Sequence, residues 1–292
     1  MEIRILRNFL EIAREENMTR AAERLHISQP SLSKQMKVLE SELGKKLFIR
    51  SNYNLHLTDE GMLLRKRAED LLDLSDKIIH EFKSLDDITG GDIYLGCAES
   101  YLIKYLAMAI KSLQTHHPQI RYHITSGDTV LVAEQLDKGL LDFAFIVEPP
   151  NLSKYNYLEI PETDTFGLLL KKDHPLSNKP CLTVDDLLPY AIFCSEQSIH
   201  SDLTRWCGEK IDQMNISATF NLTNNAAVFV REGLGLALTF DKLLEISDSS
   251  SLCFRPLSPT LEVKMYIIWK KYQVFTPAAS LLLEEMKHML QK

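Results

Sequence analysis

The stretch SQPSLSKQMKVLE, residues 28–40, combines signals for the start of a helix with an unusual absence of negative charge. Ser28 is a typical helix N-cap residue, yet no carboxylate follows it in the first turn. Acidic side chains are normally favoured there, because a helix N-terminus carries partial positive charge. The residues found instead, with the lysines that follow, are Gln29, Pro30, Ser31, Ser33, Lys34 and Lys37. This composition predicts that the helix binds an anion from outside the chain.

The distribution of charge along the chain agrees with an anionic partner for this segment. Residues 1–58 contain 10 Lys and Arg against 7 Asp and Glu, although the whole chain of 292 residues has a net charge of −7. The remaining residues contain 23 basic and 33 acidic side chains. A basic segment joined to an acidic body is typical of nucleic-acid-binding proteins.

Several classes of chemistry are not indicated by the sequence. The five cysteines are scattered without a C-x-x-C pair, which argues against a zinc ribbon or a thioredoxin-like site. We find no nucleophile elbow, no cluster with metal-ligand spacing and no phosphate-binding loop, so we expect neither an enzyme nor a metal or cofactor. We find no signal peptide and no segment near the roughly 20 apolar residues of a membrane span. We therefore expect a cytoplasmic protein with reduced thiols.

The helix that starts at residue 28 must be held by neighbouring elements, and the pattern predicts a small helical domain over residues 1–58. Apolar residues recur in this helix at helical spacing, at Leu32, Met36 and Leu39, and Gly44 ends it. Two shorter helices precede it. The segments LFIR and LHL, with the turn-prone SNYN between them, predict a small hairpin after it.

A long helix is predicted over residues 59–89, since no Gly or Pro interrupts residues 62–89. Its seam positions alternate in steps of four and three residues, which is the 3.5-residue repeat of a coiled coil. These positions are Leu64, Ala68, Leu71, Ser75, Ile78, Phe82 and Leu85. So narrow a seam favours pairing with a second copy of the chain. The expected dimer contacts are Leu64, Ala68, Leu71, Ile78 and Phe82. The alternative is a helix packed on its own domain.

After Gly90 and Gly91 the pattern changes to short strands that alternate with helices. Such alternation predicts a parallel sheet that is covered by helices on both faces. Two such sets follow one another, and a late strand returns after the second. The second set includes a predicted strand at residues 166–171, a helix at 201–211 and a strand at 218–223. We therefore predict a hinged ligand binder of two α/β lobes. The predicted effector domain spans residues 90–292. Within it, lobe I is expected to comprise about residues 90–161 and 265–292, and lobe II about residues 162–264.

Residues 1–66 resemble the DNA-binding domain of the LysR-type transcriptional regulators. The resemblance rests on MTRAAERLHISQPSLS, LESELGKKLFIR and LTDEG. The remainder agrees with the same family through HHPQIRYHITSGDT, LDKGLLDFAFIVEPP, KKDHPLS and VREGLGLAL. Two departures are Asp59 and Phe240, where the family pattern often has proline.

The resemblance implies an α+β multidomain protein with an N-terminal winged helix-turn-helix, a long linker helix and a periplasmic-binding-protein-like α/β effector domain of two lobes. Proteins of this family bind double-stranded promoter DNA as dimers, which commonly pair into tetramers. They respond to a small metabolite that binds in the cleft between the lobes. The resemblance also suggests RNA polymerase as a partner, and it suggests no membrane.

Within such a domain the third helix is the candidate recognition helix, whose N-terminal residues meet base edges in the major groove. Gln29 carries an amide that suits adenine, and Pro30 offers an apolar surface to a thymine methyl group. Ser33 donates or accepts a hydrogen bond, whereas Ser31 lies nearer the cap. The alternative is that these side chains are only solvated.

Contacts with the DNA backbone are expected from basic residues beside this helix face. Lys34 and Lys37 suit phosphates and also guanine. Arg50 and Asn52, in the predicted wing, are weaker candidates for contacts with the backbone or the minor groove. Solvation without DNA contact is again the alternative.

The effector site is predicted from a general rule for open α/β lobes, whose ligands bind beyond the carboxyl ends of strands and near helix N-termini. The residues at these places are Glu99, Ser100, Tyr101, Ser126, Thr129, Val147, Ser195, His200, Asn224 and Phe240. Because hydroxyls and free helix N–H groups favour anions, we expect a carboxylate-bearing metabolite. Glu99 does not suit an anion, so we expect it either to bind an ammonium group or to lie outside the pocket. Ordinary capping chemistry is the alternative for each residue.

Two other functions are open at this point. One is a cytoplasmic small-molecule-binding protein whose N-terminal helices only mediate assembly. The other is a redox-sensing regulator that uses Cys194 and Cys207, since oxidant-sensing members of the family use a cysteine pair. Buried cysteine usually acts only as a small apolar residue, which weighs against the second alternative.

Overall fold

The structure is a computed structural model that describes residues 1–50, 55–84, 90–148 and 152–290. The side chains at positions 50, 83 and 84 also lie outside the described set. The chain divides into two units, Met1–Phe82 and Lys83–Lys292. Each unit has hydrophobic clusters of its own, so each is described by itself.

The first unit contains three short helices, a two-stranded hairpin and a long helix. Their bounds are α1 (Ile3–Glu15), α2 (Met18–Arg24), α3 (Gln29–Leu43), β1 (Phe48–Arg50), β2 (Leu55–Leu57) and α4 (Asp59–Ser84). The two strands pair antiparallel, with Phe48 opposite Leu57. The predicted winged helix-turn-helix is therefore confirmed. The turn of the wing, residues 51–54, and residues 85–89 of the predicted linker helix lie outside the described residues.

The core of the first unit determines which side of α3 reaches solvent. Leu32, Met36 and Leu39 are buried at helical spacing on one side of α3. They belong to one cluster with Phe9 and Ile12 of α1, and both of those side chains are fully buried. Burial of one such side chain contributes about 1.5–3 kcal/mol relative to exposure, so these contacts hold α3 in one orientation. The opposite side of α3 faces solvent.

Polar contacts join the hairpin to α3 and α4. Glu40 of α3 accepts hydrogen bonds from the Leu47 backbone N–H at 2.9 Å and from Lys46 Nζ at 2.7 Å. Thr58 caps α4, since its Oγ1 accepts a hydrogen bond from the Gly61 backbone N–H at 2.9 Å. A Cβ atom at Gly61 would lie 2.2 Å from the Leu47 carbonyl oxygen. Glycine is therefore required for this close approach of α4 to the hairpin.

Helix α4 carries the predicted pairing seam. In the structure, the first part of the seam packs in the core of its own unit, and exposed apolar side chains occupy the later part. Ala68 is fully buried in the core of its own unit, and Leu64 packs against the same core. We therefore remove Ala68 from the predicted dimer contacts, because a side chain buried in its own core offers no surface to a second chain. Leu64 is half-buried and its role in the dimer stays a prediction. Leu71, Ile78 and Phe82 are exposed, with 46%, 45% and 71% of their surface accessible.

The second unit alternates strands and helices. Its strands are β3 (Gly90–Ala98), β4 (Gln119–Gly127), β5 (Phe143–Val147), β6 (Tyr155–Lys171), β7 (Ala191–Cys194), β8 (Asn215–Thr219), β9 (Leu236–Phe240), β10 (Leu252–Pro256) and β11 (Glu262–Lys270). Its α-helices are α5 (Lys104–His116), α6 (Thr129–Asp137), α7 (Val184–Leu187), α8 (Glu196–Ser198), α9 (Thr204–Cys207), α10 (Thr223–Arg231) and α11 (Pro277–Leu290). A π-helical turn, Ile199–Leu203, joins α8 to α9.

The strands of the second unit form a continuous sheet in the order β4-β3-β5-β11-β6-β9-β7-β8, with β10 also paired to β6. On one side of the β6–β11 pair, β3 runs parallel to β4 and β5. On the other side, β7 runs parallel to β8 and β9. This confirms the predicted pair of α/β lobes. We call the part around β3, β4, β5 and β11 lobe I, and the part around β7, β8, β9 and β10 lobe II.

Strand β6 runs through both lobes. It pairs with β11 up to Thr165 and with β9 from Phe166 onward. The sequence predicts a strand only at residues 166–171, whereas β6 begins at Tyr155. The earlier part of β6 contains a proline and several acidic residues, which are depleted in strands, so the pattern there does not indicate one. Pairing with β11 overrides that local preference.

Candidate nucleic-acid interface and ligand cleft

The exposed side of α3 begins at a capped helix terminus. Ser28 Oγ accepts a hydrogen bond from the Ser31 backbone N–H at 3.4 Å, and Pro30 occupies the first turn. No acidic residue lies in that turn. Since helix N-terminal N–H groups favour anions, this end of α3 suits an anion from outside the chain.

The residues predicted to read base edges differ in exposure. Pro30, Lys34 and Lys37 are exposed, as is the side chain of Ser31 at the flank of this face. The other two, Gln29 and Ser33, are half-buried. Ser33 and Lys37 also border a depression beside the hairpin. The structure thus brings these side chains together on and beside the solvent-facing side of α3.

Lys34 and Lys37 differ from most cations of the first unit in having no internal partner. Arg7 pairs with Asp76, for example. The other Lys and Arg side chains of this unit that pair with carboxylates are Arg4, Arg20, Arg24, Lys45, Lys46, Arg65, Arg67 and Lys77. Within the part of the chain that the structure describes, neither Lys34 nor Lys37 forms a hydrogen bond or an ion pair. Their positive charge is therefore available to an external anion.

Two predicted residues of the wing are not placed by the structure. Arg50 ends β1, where its backbone lies opposite Leu55, and its side chain is outside the described set. Asn52 lies outside the described residues altogether. The roles of both residues in DNA binding stay predictions.

A cavity of about 560 Å³, counted with its opening to solvent, lies between the lobes of the second unit. We call it the cleft. Strands β3, β5, β7 and β9 end at or next to its lining residues. Five of the residues predicted to bind an effector line it, namely Glu99, Thr129, Val147, Ser195 and Phe240. The other lining residues are Ala98, Gly127, Asp128, Phe166, Gln197, Ser198, Asp202, Phe220, Asn221, Thr223, Leu238, Thr239 and Leu243.

The other five predicted effector residues do not line the cleft. They are Ser100, Tyr101, Ser126, His200 and Asn224. Ser100 is buried, donates to Asp164 Oδ2 at 2.5 Å and accepts from the Leu102 backbone N–H at 2.9 Å. The remaining four side chains are exposed. We withdraw all five from the site, because neighbouring positions along a strand or helix point in different directions.

Hydroxyl groups at the cleft are used by the protein itself. Thr129 Oγ1 donates to the Val147 carbonyl oxygen at 3.2 Å and accepts from the Val147 N–H at 3.1 Å. Ser195 Oγ caps α8 by accepting from the Ser198 backbone N–H at 3.1 Å. The Thr129 hydroxyl therefore fixes a wall of the cleft and already donates its hydrogen within the protein, whereas Ser195 acts only as an acceptor in its bond with the Ser198 N–H.

A carboxylate from lobe I occupies the N-terminus of a helix in lobe II. The Thr223 backbone N–H donates to Glu99 Oε2 at 2.7 Å. The N-cap residue of α10 is Leu222, which has no side-chain acceptor. Glu99 therefore supplies the negative charge that this helix end favours. An anionic ligand at this position would have to displace Glu99.

The other charged side chains that line the cleft are also acidic. Asp128 and Asp202 accompany Glu99, and none of the described lining residues is Lys, Arg or His. Burial raises the pKa of Asp202, which also pairs with Arg205 at 3.3 Å. The predicted carboxylate-bearing ligand does not fit these charges, because its own negative charge would be repelled.

Two further contacts join the lobes around the cleft. Gln197 Nε2 donates to the Val147 carbonyl oxygen at 3.4 Å. Arg205 of lobe II pairs with Glu148 of lobe I at 3.5 Å. Gln197 and Val147 line the cleft, so a ligand there meets one of the contacts that join the two lobes.

The cysteine pair of the redox alternative lies in lobe II. Burial raises the pKa of Cys194 to about 12 and that of Cys207 to about 11. The Cys207 thiol contacts the Met214 sulfur at 3.4 Å. Oxidant-sensing cysteines react as exposed thiolates, whereas these two thiols are buried and protonated. The structure therefore gives no support to redox sensing through Cys194 and Cys207.

Asp164 is a buried carboxyl on β6, and its ionisation is expected to make stability depend on pH. Burial raises the pKa of Asp164 from 3.8 to about 6, against the opposing hydrogen bond from Ser100. Between these two values the folded chain holds a proton that the unfolded chain has lost, so stability falls as pH rises through that window. The wild type should lose about 3 kcal/mol of its free energy of unfolding across this window, and we expect Asp164→Asn to remove that loss. Urea unfolding of both proteins at about pH 4 and about pH 7.5 measures the free energy of unfolding.

A matched control for this prediction is Asp212→Asn. Asp212 is exposed in the same unit and makes no hydrogen bond or ion pair with other described residues. The stability difference between this variant and the wild type should be the same at both pH values. An Asp164→Asn variant whose stability relative to the wild type is independent of pH would contradict the assignment.

The described residues include neither a helix that could span a membrane nor a cluster that could hold a metal ion. Among them, no helix combines the length and the apolar character needed to cross a membrane. No group of three or more His, Cys, Asp or Glu side chains within the described ranges could hold a metal ion.

Comparison with protein families gives two matches that together span nearly the whole chain. Residues 3–62 match the family described as "Bacterial regulatory helix-turn-helix protein, lysR family". Residues 88–291 match the family "LysR substrate binding domain". The first match contains α3 and the hairpin, and the second contains the cleft.

Individual relatives and solved structures agree with these matches. The chain is 28% identical to the HTH-type transcriptional regulator YtlI of Bacillus subtilis, over 82% of this chain and 77% of that protein. It is 27% identical to the HTH-type transcriptional regulator BudR of Raoultella terrigena, over 94% and 96% of the two chains. Full-length CbnR in complex with its target DNA has the same fold, with a TM-score of 0.73, 20% identity and 99% of each chain covered.

Proposed function

The chain belongs to the LysR family of bacterial transcriptional regulators, and on this premise we propose that its first unit reads promoter DNA through the solvent-facing side of α3. The protein is a DNA-binding regulator with an effector-binding domain, and its family consists of regulators rather than enzymes. The observation that carries the proposal is the unpaired charge of Lys34 and Lys37 next to a helix terminus without acidic residues.

The roles that we propose on α3 follow from side-chain chemistry. Lys34 and Lys37 bind phosphates and so determine affinity and its dependence on salt. Gln29, Pro30 and Ser33 lie nearer the helix N-terminus and contact base edges. Ser31 serves the cap. Arg50 and Asn52 of the wing are proposed to contact the DNA backbone or the minor groove.

DNA binding by similar proteins supports this assignment. YtlI and BudR are HTH-type transcriptional regulators, and CbnR has been solved with its target DNA. We propose that the present chain binds double-stranded promoter DNA in the same general way.

We propose that the chain acts as a dimer, and that dimers pair into a homotetramer. The exposed apolar residues Leu71, Ile78 and Phe82 of α4 are the proposed dimer contacts. The corresponding domains are residues 1–58 for DNA binding, 59–89 for the linker helix and 90–292 for effector binding. RNA polymerase stays a predicted partner.

Specific DNA binding is tested with the purified full-length chain and the DNA upstream of its own gene. Fluorescence anisotropy should show binding about a thousandfold tighter than to a scrambled duplex of equal length. Affinity should fall steeply with salt for both duplexes. Equal affinity for the two sequences would contradict the proposal and favour a small-molecule-binding protein whose N-terminal helices only mediate assembly.

A further inference from the structure

We infer that the cleft binds a small organic cation, a protonated amine on an apolar body. The inference rests on the proposed function only in taking the cleft as the effector site. It goes beyond that function by giving the charge and the chemical class of the effector. Three features of the cleft carry it: a helix terminus that is already neutralised, an excess of carboxylates and a set of aromatic walls.

The helix terminus that would attract an anion is already occupied. The N–H of Thr223, at the start of α10, donates to Glu99 Oε2 at 2.7 Å. The protein thus supplies its own anion where an effector carboxylate would otherwise bind. Asp128 satisfies the start of α6 in the same way, since its Oδ1 accepts from the Leu131 backbone N–H at 2.8 Å. At the starts of α6 and α10, an added carboxylate would therefore compete with a carboxylate that the protein already supplies.

The charge that remains in the cleft is negative. Its lining contains the carboxylates of Glu99, Asp128 and Asp202, and none of its described lining residues is basic. Arg205 pairs with Asp202 at 3.3 Å and with Glu148 at 3.5 Å, so this cation is shared between two acidic groups. A protonated amine compensates the remaining charge and donates hydrogen bonds to carboxylate oxygens.

Aromatic and aliphatic walls complete the chemistry that recognises an organic cation. Phe166, Phe220 and Phe240 line the cleft with Leu238. The rings of Phe166 and Phe240 lie 4.6 Å apart at an interplanar angle of 57°. Ring faces attract cations, and apolar walls bury a hydrocarbon body. These walls select an alkyl or aryl amine over a hydrated metal ion.

Matched pairs of small molecules test the inference on the wild-type full-length protein. The pairs are benzylamine with benzoate, butylamine with butyrate, and 1,4-diaminobutane with succinate. Each pair has a similar body and opposite charge. We expect thermal stabilisation by at least one amine and by none of the carboxylates. Stabilisation by a carboxylate, or by no amine, would overturn the inference.

Two variants locate the binding site of the amine. Glu99→Gln keeps an acceptor for the Thr223 N–H but loses the charge, and it should weaken amine binding at least about tenfold. Glu209→Gln is the matched control, because Glu209 is an exposed lobe II residue that does not line the cleft. It should leave amine binding unchanged. Equal weakening by both variants would assign the effect to overall charge and overturn the inference.

Failure of the inference and failure of the proposed function are distinguishable in these experiments. DNA binding is measured without any ligand, and amine binding is measured without DNA. Specific DNA binding with no response to amines overturns only the amine assignment. Amine binding that depends on Glu99, with no specific DNA binding, overturns only the proposed DNA-reading role.

Discussion

Replacement of both Lys34 and Lys37 by alanine is expected to weaken binding to the upstream DNA about thirtyfold at physiological salt. Each phosphate contact contributes about 0.9 to the slope of log affinity against log salt, so the magnitude of the slope should fall by about two. The expectation follows from the structure, because both side chains are exposed and form no ion pair with other described residues. Fluorescence anisotropy over a series of salt concentrations measures both quantities.

Lys66→Ala provides the matched control for this experiment. Lys66 is an exposed lysine of α4 that also has no ion pair with described residues, and its loss removes one positive charge, as the single replacement of Lys34 or Lys37 does. It should leave the affinity and the slope close to those of the wild type. An unchanged slope in the double variant, or an equal loss in the control, would remove Lys34 and Lys37 from the interface.

The interface on α3 could be predicted from sequence because it depends on local information. The spacing of Leu32, Met36 and Leu39 fixes which side of α3 is buried. That pattern also fixes where Lys34 and Lys37 lie, since positions on a helix are related by its period. The unpaired state of the two lysines could not be predicted, because ion pairs such as Arg7 with Asp76 join distant parts of the chain.

The cleft could be predicted only in part, because its walls depend on where strands end. The sequence suggests a strand over residues 218–223 and hence Asn224 as the next residue. The actual strand β8 ends at Thr219, so Phe220 and Asn221 lie at its end and line the cleft. An error of a few residues in one boundary therefore replaced lining residues by an exposed one.

Two further contributors to the cleft have no local signal. Asp202 lies in the π-helical turn, and Gln197 lies in the very short helix α8 just before it. In this part of the chain the sequence predicts only a helix over residues 201–211. The bond from the Thr223 N–H to Glu99 joins residues far apart in the chain. Only the paired lobes bring these groups together, so the charge of the cleft could not be inferred from single segments.

The seam of α4 shows a different limit of sequence patterns. A 3.5-residue repeat marks one side of a helix but does not say what covers it. Ala68 fits the repeat as well as Ile78 does, yet Ala68 is covered by its own unit and Ile78 is exposed. The repeat therefore combines an internal packing surface with a surface that is free in the single chain.

The exposed part of this seam is expected to hold the dimer together. Glutamate at both Ile78 and Phe82 would place unpaired charges in an apolar contact on both chains. A buried, unpaired charge costs about 3–5 kcal/mol, so the dimer dissociation constant should rise at least about a thousandfold. Light scattering after gel filtration should show monomers at concentrations where the wild type is a dimer or a tetramer. Promoter binding should weaken in parallel, because two linked DNA-binding domains bind DNA more tightly than a single domain does.

The neighbouring residue Ile79 offers a control that separates pairing from general disturbance of the helix. Ile79 is exposed to 47%, close to the 45% of Ile78, but lies at the edge of the seam, about 100° around the helix from Ile78. Ile79→Glu should therefore keep the oligomeric state of the wild type. Circular dichroism should show equal helix content in all variants, because Ile78, Ile79 and Phe82 are exposed in the single chain. Dissociation by Ile79→Glu, or a dimer that survives glutamate at Ile78 and Phe82, would place the dimer contact elsewhere.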